Sequence, residues 1–136
     1  MQRISHVWPA SAGRGGGGAL SIGGVDLRVA VGEHGSPLFV FDENDVRARA
    51  RSFRDACAAA GGRQVYYAAK SFLSTAVAKW VTEEGLGIDV ASGGELAVAL
   101  RAGVPGDLLL LHGNNKSVEE IESAIGAGVA RIVVDS

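Results

Sequence analysis

Beyond residue 64, apolar positions gather into four short runs, 65–69, 87–91, 108–111 and 132–134, which recur about every 21 to 23 residues. Between successive runs the apolar residues fall at helical spacing. Strand-like runs alternating with helices at this interval predict parallel strands joined by right-handed crossovers. Two of the predicted helices open alike, Ser92-Gly93-Gly94-Glu95 and Ser117-Val118-Glu119-Glu120. In each, a hydroxyl and a carboxylate three residues apart can satisfy the orphan amides of the first turn as a capping box. Both helices also close alike, on Ala102-Gly103-Val104 and Ala127-Gly128-Val129. The βα unit is used repeatedly.

Upstream of the repeat the pattern is looser. Residues 25–31 alternate well enough to predict a strand, and 37–41 predict a second, more apolar one. Asp42 then stands as the N-cap of a helix whose stripe is Val46, Ala50, Phe53, Cys57 and Ala60, and Gly61-Gly62 ends it. Arg47, Arg49, Arg51 and Arg54 interleave with that stripe and read as the solvated side of the helix rather than a nucleic-acid patch. The run from Gly13 to Gly18 reads as part of a loose leader. A phosphate cradle there would need a helix to follow, and 19–24 begin none. The expected organisation is a flexible leader over 1–18, lead-in strands over 19–42 and the βα array over 43–136.

Of the 136 residues, 47% are apolar and 21% charged, the balance of a folded domain. Thirteen basic residues against fifteen acidic ones give a net charge of -2, which offers no general attraction to nucleic acid or an anionic membrane. The one cysteine, Cys57, permits neither an internal disulfide nor a multi-cysteine metal site, so a reducing compartment, the cytoplasm, is expected and no metal is. No apolar run reaches the roughly 18 residues of a membrane span.

A regular βα repeat builds either a doubly wound sheet or a closed eight-stranded barrel. About four strands are present, a complete barrel needs roughly 250 residues, and 133–136 stop at a strand end, so the expectation is an array cut short. Either architecture places its chemistry at the carboxyl ends of the strands. There stand Lys70, then Asp89 and Ser92, then His112 to Lys116, then Asp135. These polar residues share one predicted rim.

Lys70 is the most informative of them. The chain has three lysines, Lys70, Lys79 and Lys116, against ten arginines, so a lysine kept at a strand end calls for a reason. A primary amine can form a Schiff base, which a guanidinium cannot, and apolar neighbours favour its neutral, nucleophilic form. A lysine snorkelling from the strand end is the plainer alternative, and the residues alone leave both open. Asp89 can pair with the Lys70 ammonium or be satisfied by a helix start. His112 can face a ligand or hold the turn with Asn114 and Asn115. Ser92 and Ser117 read as helix caps, and Glu95 and Glu120 as their partners.

The block Val65-Tyr66-Tyr67-Ala68-Ala69-Lys70 resembles the lysine motif of the pyridoxal-phosphate decarboxylases built on an alanine-racemase-like barrel. Gly87-Ile88-Asp89-Val90-Ala91-Ser92-Gly93-Gly94-Glu95-Leu96 looks like the second strand block of that family. Leu111-His112-Gly113-Asn114-Asn115-Lys116-Ser117 is similar to its diaminopimelate decarboxylase branch, and Gly35-Ser36-Pro37-Leu38-Phe39-Val40-Phe41-Asp42 to the lead-in of the same barrel.

The resemblance, over about residues 20–136, implies an α/β fold, the first four strands of a (β/α)8 TIM-type barrel. It implies pyridoxal 5'-phosphate as cofactor, held covalently by Lys70 with Asp89 and His112 beside it. It implies decarboxylation of meso-2,6-diaminopimelate to L-lysine and carbon dioxide by a homodimer, with no nucleic acid or membrane as partner. The phosphate site, the acidic partner of the pyridine nitrogen, a ring-stacking histidine and a β domain would lie beyond residue 136, so the 136 residues alone are expected to be inactive. The alternatives are another decarboxylase or a racemase of the same barrel group, or a non-enzymatic half-barrel associating through open strand edges. In a half-barrel the inner face is expected to draw on Val65, Tyr67, Ile88, Val90, Leu109 and Val133.

Overall fold

The computed structural model describes residues 7–134; Asp135, assigned above to the rim, lies outside the described residues. These residues form two compact units, divided between Ala48 and Arg49.

In the first unit, β1 (Gly13–Arg14), β2 (Leu20–Ile22) and β3 (Val25–Asp26) make a three-stranded antiparallel sheet in chain order. Part of the expected leader therefore carries a hairpin. Gly17 and Gly18, at φ 73° and 76°, make the tight turn that joins its first two strands. The strand predicted over 25–31 is corrected: only its first two residues are extended, and α1 (Leu27–His34) follows. The deciding group is the Asp26 carboxylate, which accepts from the Arg28 amide at 2.9 Å and pairs with the Arg28 guanidinium at 2.7 Å, capping the helix. The strand predicted over 37–41 is also corrected. That segment joins no sheet, and Phe39 in it is 83% exposed.

Helix α2 (Glu43–Ala59) starts where Asp42 predicts, with Asp42 Oδ1 accepting from the Asp45 amide at 3.3 Å. The other Asp42 oxygen accepts from the Ser11 hydroxyl, which itself accepts from the Gly23 amide at 2.8 Å. Of the predicted stripe only Ala50 is buried, and Phe53 is 67% exposed. The arginines between them pair with acids of the same chain: Arg47 with Glu43, Arg51 with Glu84 and Arg54 with Asp55.

The second unit contains the predicted parallel sheet, β4 (Tyr66–Ala68), β5 (Gly87–Val90), β6 (Leu109–Leu111) and β7 (Arg131–Ile132), again in chain order. Its crossovers are α3 (Thr75–Glu83), α4 (Gly93–Arg101) and α5 (Val118–Gly126). Each of these helices opens on a serine whose hydroxyl accepts from an amide three residues on: Ser74, Ser92 and Ser117. Ser74 is hard to see in advance, because the third residue after it is Val77, which supplies no carboxylate. All four helices of this region, α2 to α5, end on a glycine of positive φ: Gly61, Gly85, Gly103 and Gly128. For α3, the Gly85 amide bonds the Thr82 carbonyl and the Leu86 amide bonds that of Val81, and the same paired bonds close the other three. The residue that follows the terminating glycine of α3 or α4, Leu86 or Val104, is buried.

Register and alternation define the two faces of the sheet. Tyr67 pairs with Ile88, Ile88 with Leu109 and Leu111 with Ile132, so these residues share a face with Val90. Ile88, Val90, Leu109 and Leu111 have no exposure, being covered together with Val77, Val81, Leu96, Ala99 and Ala124 of the crossovers. The inner-face expectation is thereby corrected. Five of its six residues, Val65, Tyr67, Ile88, Val90 and Leu109, belong to the helix-covered side, and only Val133 has the opposite parity. The residues of the other face are Tyr66, Ala68, Gly87, Asp89 and Leu110. Both faces are apolar enough that alternation alone cannot say which one the helices cover.

Candidate active site at the carboxyl ends of the strands

The uncovered face leads directly to the site. Ala68 pairs with Asp89 and Asp89 with Leu110, so the residue two beyond Leu110 projects from that same face. That residue is His112. Its amide donates to the Val90 carbonyl at 2.8 Å, which carries the ladder one step past β6 and fixes the backbone there. Lys70 lies in a single 3-10 turn, Ala69–Ser71, at the end of β4. The three singled-out residues thus meet around an open cleft of about 190 Å³, with Ala68, Ala91, Gly113 and Asn114 completing its walls. Ala68 and Ala91 carry no chemistry of their own, and only the strand register reveals them.

Asp89 turns to the histidine rather than to the lysine. Its Oδ2 lies 3.4 Å from His112 Nδ1, a long contact that favours the tautomer protonated on Nδ1. Its Oδ1 is buried and has no hydrogen-bond partner. A buried acceptor left unpaired in a polar cleft marks a place where a donor belongs. Lys70 makes no hydrogen bond or ion pair among the described residues. The other lysines are placed differently: Lys116 Nζ donates to the Gly113 carbonyl inside its own loop, and Lys79 is exposed on α3. Lys70 is the lysine that lines the cleft.

The capping carboxylates shape the wall. Glu95 Oε2 accepts from the Ala91 amide at 2.7 Å, not from Ser92 as a capping box would have it, and so holds a residue that lines the cleft. Ser117 and Glu120 form the complete box. Glu120 does more, because while its Oε2 accepts from the Ser117 amide at 3.0 Å its Oε1 accepts from the Gly93 amide of the preceding unit at 2.6 Å. These amides, Ser117 first and Gly93 second, hold the Glu120 carboxyl below its ordinary 4.5.

A carboxyl depressed in the fold contributes stability that is present above the unfolded pKa and is lost as pH falls through the folded one. Glu120→Gln is therefore expected to lower the thermal midpoint at neutral pH and to narrow its gap to the unaltered protein as pH drops below about 4.5. Glu119, also held low, by its own backbone amide and the Ser117 hydroxyl, keeps some acid sensitivity in both proteins. Melting curves against pH check this, and a gap that widens on acidification would contradict it.

Comparison with known proteins identifies the family and the fold. Residues 43–136 match the family described as pyridoxal-dependent decarboxylase, pyridoxal binding domain. The diaminopimelate decarboxylase of Mycobacterium leprae is 53% identical over 136 residues, all of this chain and 28% of that protein. That of Bacillus subtilis is 47% identical over 120 residues, 88% of this chain and 27% of that one. The chain thus spans less than a third of these relatives. Among solved structures, diaminopimelate decarboxylase from M. jannaschii in complex with L-lysine superposes with a TM-score of 0.79 at 28% identity, covering 94% of this chain and 30% of that one. Lysine/ornithine decarboxylase from Vibrio vulnificus, complexed with putrescine, gives 0.71 at 27% identity, covering 81% and 30%. These enzymes share the parallel array found here. The chain accordingly belongs to the pyridoxal-dependent decarboxylases, with their pyridoxal binding domain in residues 43–136.

Proposed function

We propose that this chain is the cofactor-anchoring part of a diaminopimelate decarboxylase, which converts meso-2,6-diaminopimelate to L-lysine and carbon dioxide. The observation that carries the reading is the unpartnered Lys70 amine in a cleft shared with Asp89 and His112. It stands in a chain matched over its whole length at 53% identity by a protein of that name.

Pyridoxal 5'-phosphate fits the residues present. Lys70 offers an amine with no competing partner, the buried Asp89 Oδ1 awaits a donor, and Ala68, Ala91 and Gly113 leave the walls free of bulk. When bound, this cofactor supplies an aldehyde for attachment and a ring that accepts the electron pair left by departing carbon dioxide. Lys70 is the point of covalent attachment. Lys70 Nζ, standing in the same cleft, would also be the group placed to carry a proton to and from a reacting carbon there. Asp89 orients His112 through Nδ1, and Glu95 holds the Ala91 wall by its amide.

We further propose a cytoplasmic homodimer for the complete protein. A single cysteine and the lack of any helix among the described residues long and apolar enough to cross a membrane are consistent with the first part. The test is carbon dioxide release by the full-length protein carrying this chain, offered meso-diaminopimelate, ornithine, lysine and arginine separately. Turnover of meso-diaminopimelate above the others is expected. Preference for ornithine or arginine would move the protein to another branch of the family.

A further inference from the structure

We infer that Tyr67 is a positioning residue for Lys70, an inference that rests on Lys70 being the cofactor-bearing amine. Lys70 occupies the middle of a three-residue 3-10 turn that has no side-chain cap, and a turn of that kind has little stability of its own. Its buried anchor is Ala69. A ring of hydroxyl bonds also closes around it. The Tyr67 phenol donates to the Phe72 carbonyl at 2.6 Å, tying the strand before the turn to the residue after it. Ser71 Oγ lies 2.8 Å from the Ala68 carbonyl and 3.0 Å from the Tyr67 phenol oxygen, so its single proton serves one of the two while Tyr67 keeps its own bond.

Between Tyr67 and Phe72, Ala68 and Lys70 line the cleft, Lys70 being the one with a reactive group, and the ring of bonds leaves its amine uncommitted. Tyr67 itself stands on the helix-covered face by its pairing with Ile88, whereas the cleft opens from the other. The phenol therefore acts on the lysine through the backbone and does not touch what the lysine holds. Small displacements of a reacting group carry large kinetic costs, so the hydroxyl that fixes this turn has a functional consequence beyond its contribution to the fold.

The experiment strips the full-length protein of cofactor, adds pyridoxal 5'-phosphate, quenches with borohydride at timed intervals and maps the pyridoxyl label. Lys79, exposed on α3, is the internal reference. In Tyr67→Phe the label at Lys70 is expected to form about tenfold more slowly or worse, with the rate at Lys79 unchanged. Ser71→Ala is expected to slow Lys70 in the same direction, and Ser71→Thr, which keeps the hydroxyl, to restore it. An unchanged Lys70 rate in Tyr67→Phe overturns the inference, as does an equal fall at both lysines, which marks a general loss of structure. Should Tyr67→Phe fail to fold, the Ser71 pair decides by the same criteria: an unchanged rate in Ser71→Ala overturns the inference and a hydroxyl-dependent rate supports it. A label that appears first on another lysine of the unaltered protein would instead remove the Lys70 assignment itself.

Discussion

Lys70→Arg in the full-length protein is expected to abolish borohydride-trapped pyridoxyl label on the 70 peptide and to cut decarboxylation by on the order of 10³-fold or more. Arginine keeps the positive charge and much of the reach. Its guanidinium remains protonated at any working pH and cannot supply the neutral nitrogen that attacks an aldehyde. The substitution thus separates a lysine that merely snorkels from the strand end, which arginine would replace, from one that bonds covalently. Neither other lysine stands in for it among the described residues, since Lys116 is engaged with the Gly113 carbonyl and Lys79 lies out on a helix. Retained turnover in Lys70→Arg, or label on Lys116 in the unaltered protein, would overturn the assignment.

That Lys70, Asp89 and His112 share a cleft was legible because Lys70 and His112 each follow an apolar run and Asp89 interrupts one near its end, and parallel βα arrays put all such ends on one rim. The helix exits were legible for a local reason. A glycine followed by an apolar residue is both a stop and a start, as Gly103-Val104 and Gly128-Val129 are. What remained hidden depends on partners distant in sequence or on competition between local options. Val25, Leu27, Val29 and Val31 alternate as a strand would, yet the Asp26 carboxylate bonds the Arg28 amide and turns the segment into a helix. Ile88 and Asp89 are neighbours with opposite destinations, and only the helices resting on Ile88 decide which is covered. The Glu120 bond to Gly93 spans 27 residues and has no signature in either capping motif taken singly.

Gly106→Ala is expected to destabilise the protein by about 1–3 kcal/mol, the usual cost of forcing an extra methyl into a packed site. Gly106 begins the 3-10 turn Gly106–Leu108 before β6, and its carbonyl accepts from the Ala130 amide at 3.0 Å. A Cβ there would lie 2.0 Å from the Ala127 carbonyl oxygen and 2.6 Å from that of Gly128. Both are backbone atoms of the turn that closes α5, so neither can rotate aside. Gly94→Ala is the matched control. Its Cβ would meet only Ser92 Oγ, at 3.9 Å, and alanine is the better residue in the helix by about 0.5–1 kcal/mol. Denaturant melts should therefore move in opposite directions for the two variants. A Gly106→Ala protein as stable as the unaltered one would show that the turns before β6 and β7 are not in close contact.

The pairings of the parallel sheet share one interval: Tyr66 stands against Gly87, Ile88 against Leu109 and Leu110 against Arg131, each 21 positions apart. Every strand added to the growing sheet therefore closes a loop of the same length, and no pairing in it waits on a distant part of the chain. Because closure entropy rises with loop length, the sheet can assemble in equal, inexpensive steps, each strand templating the next. Parallel sheets are intrinsically slow to form when their contacts are far apart in sequence, and the constant interval removes that source of delay from this one.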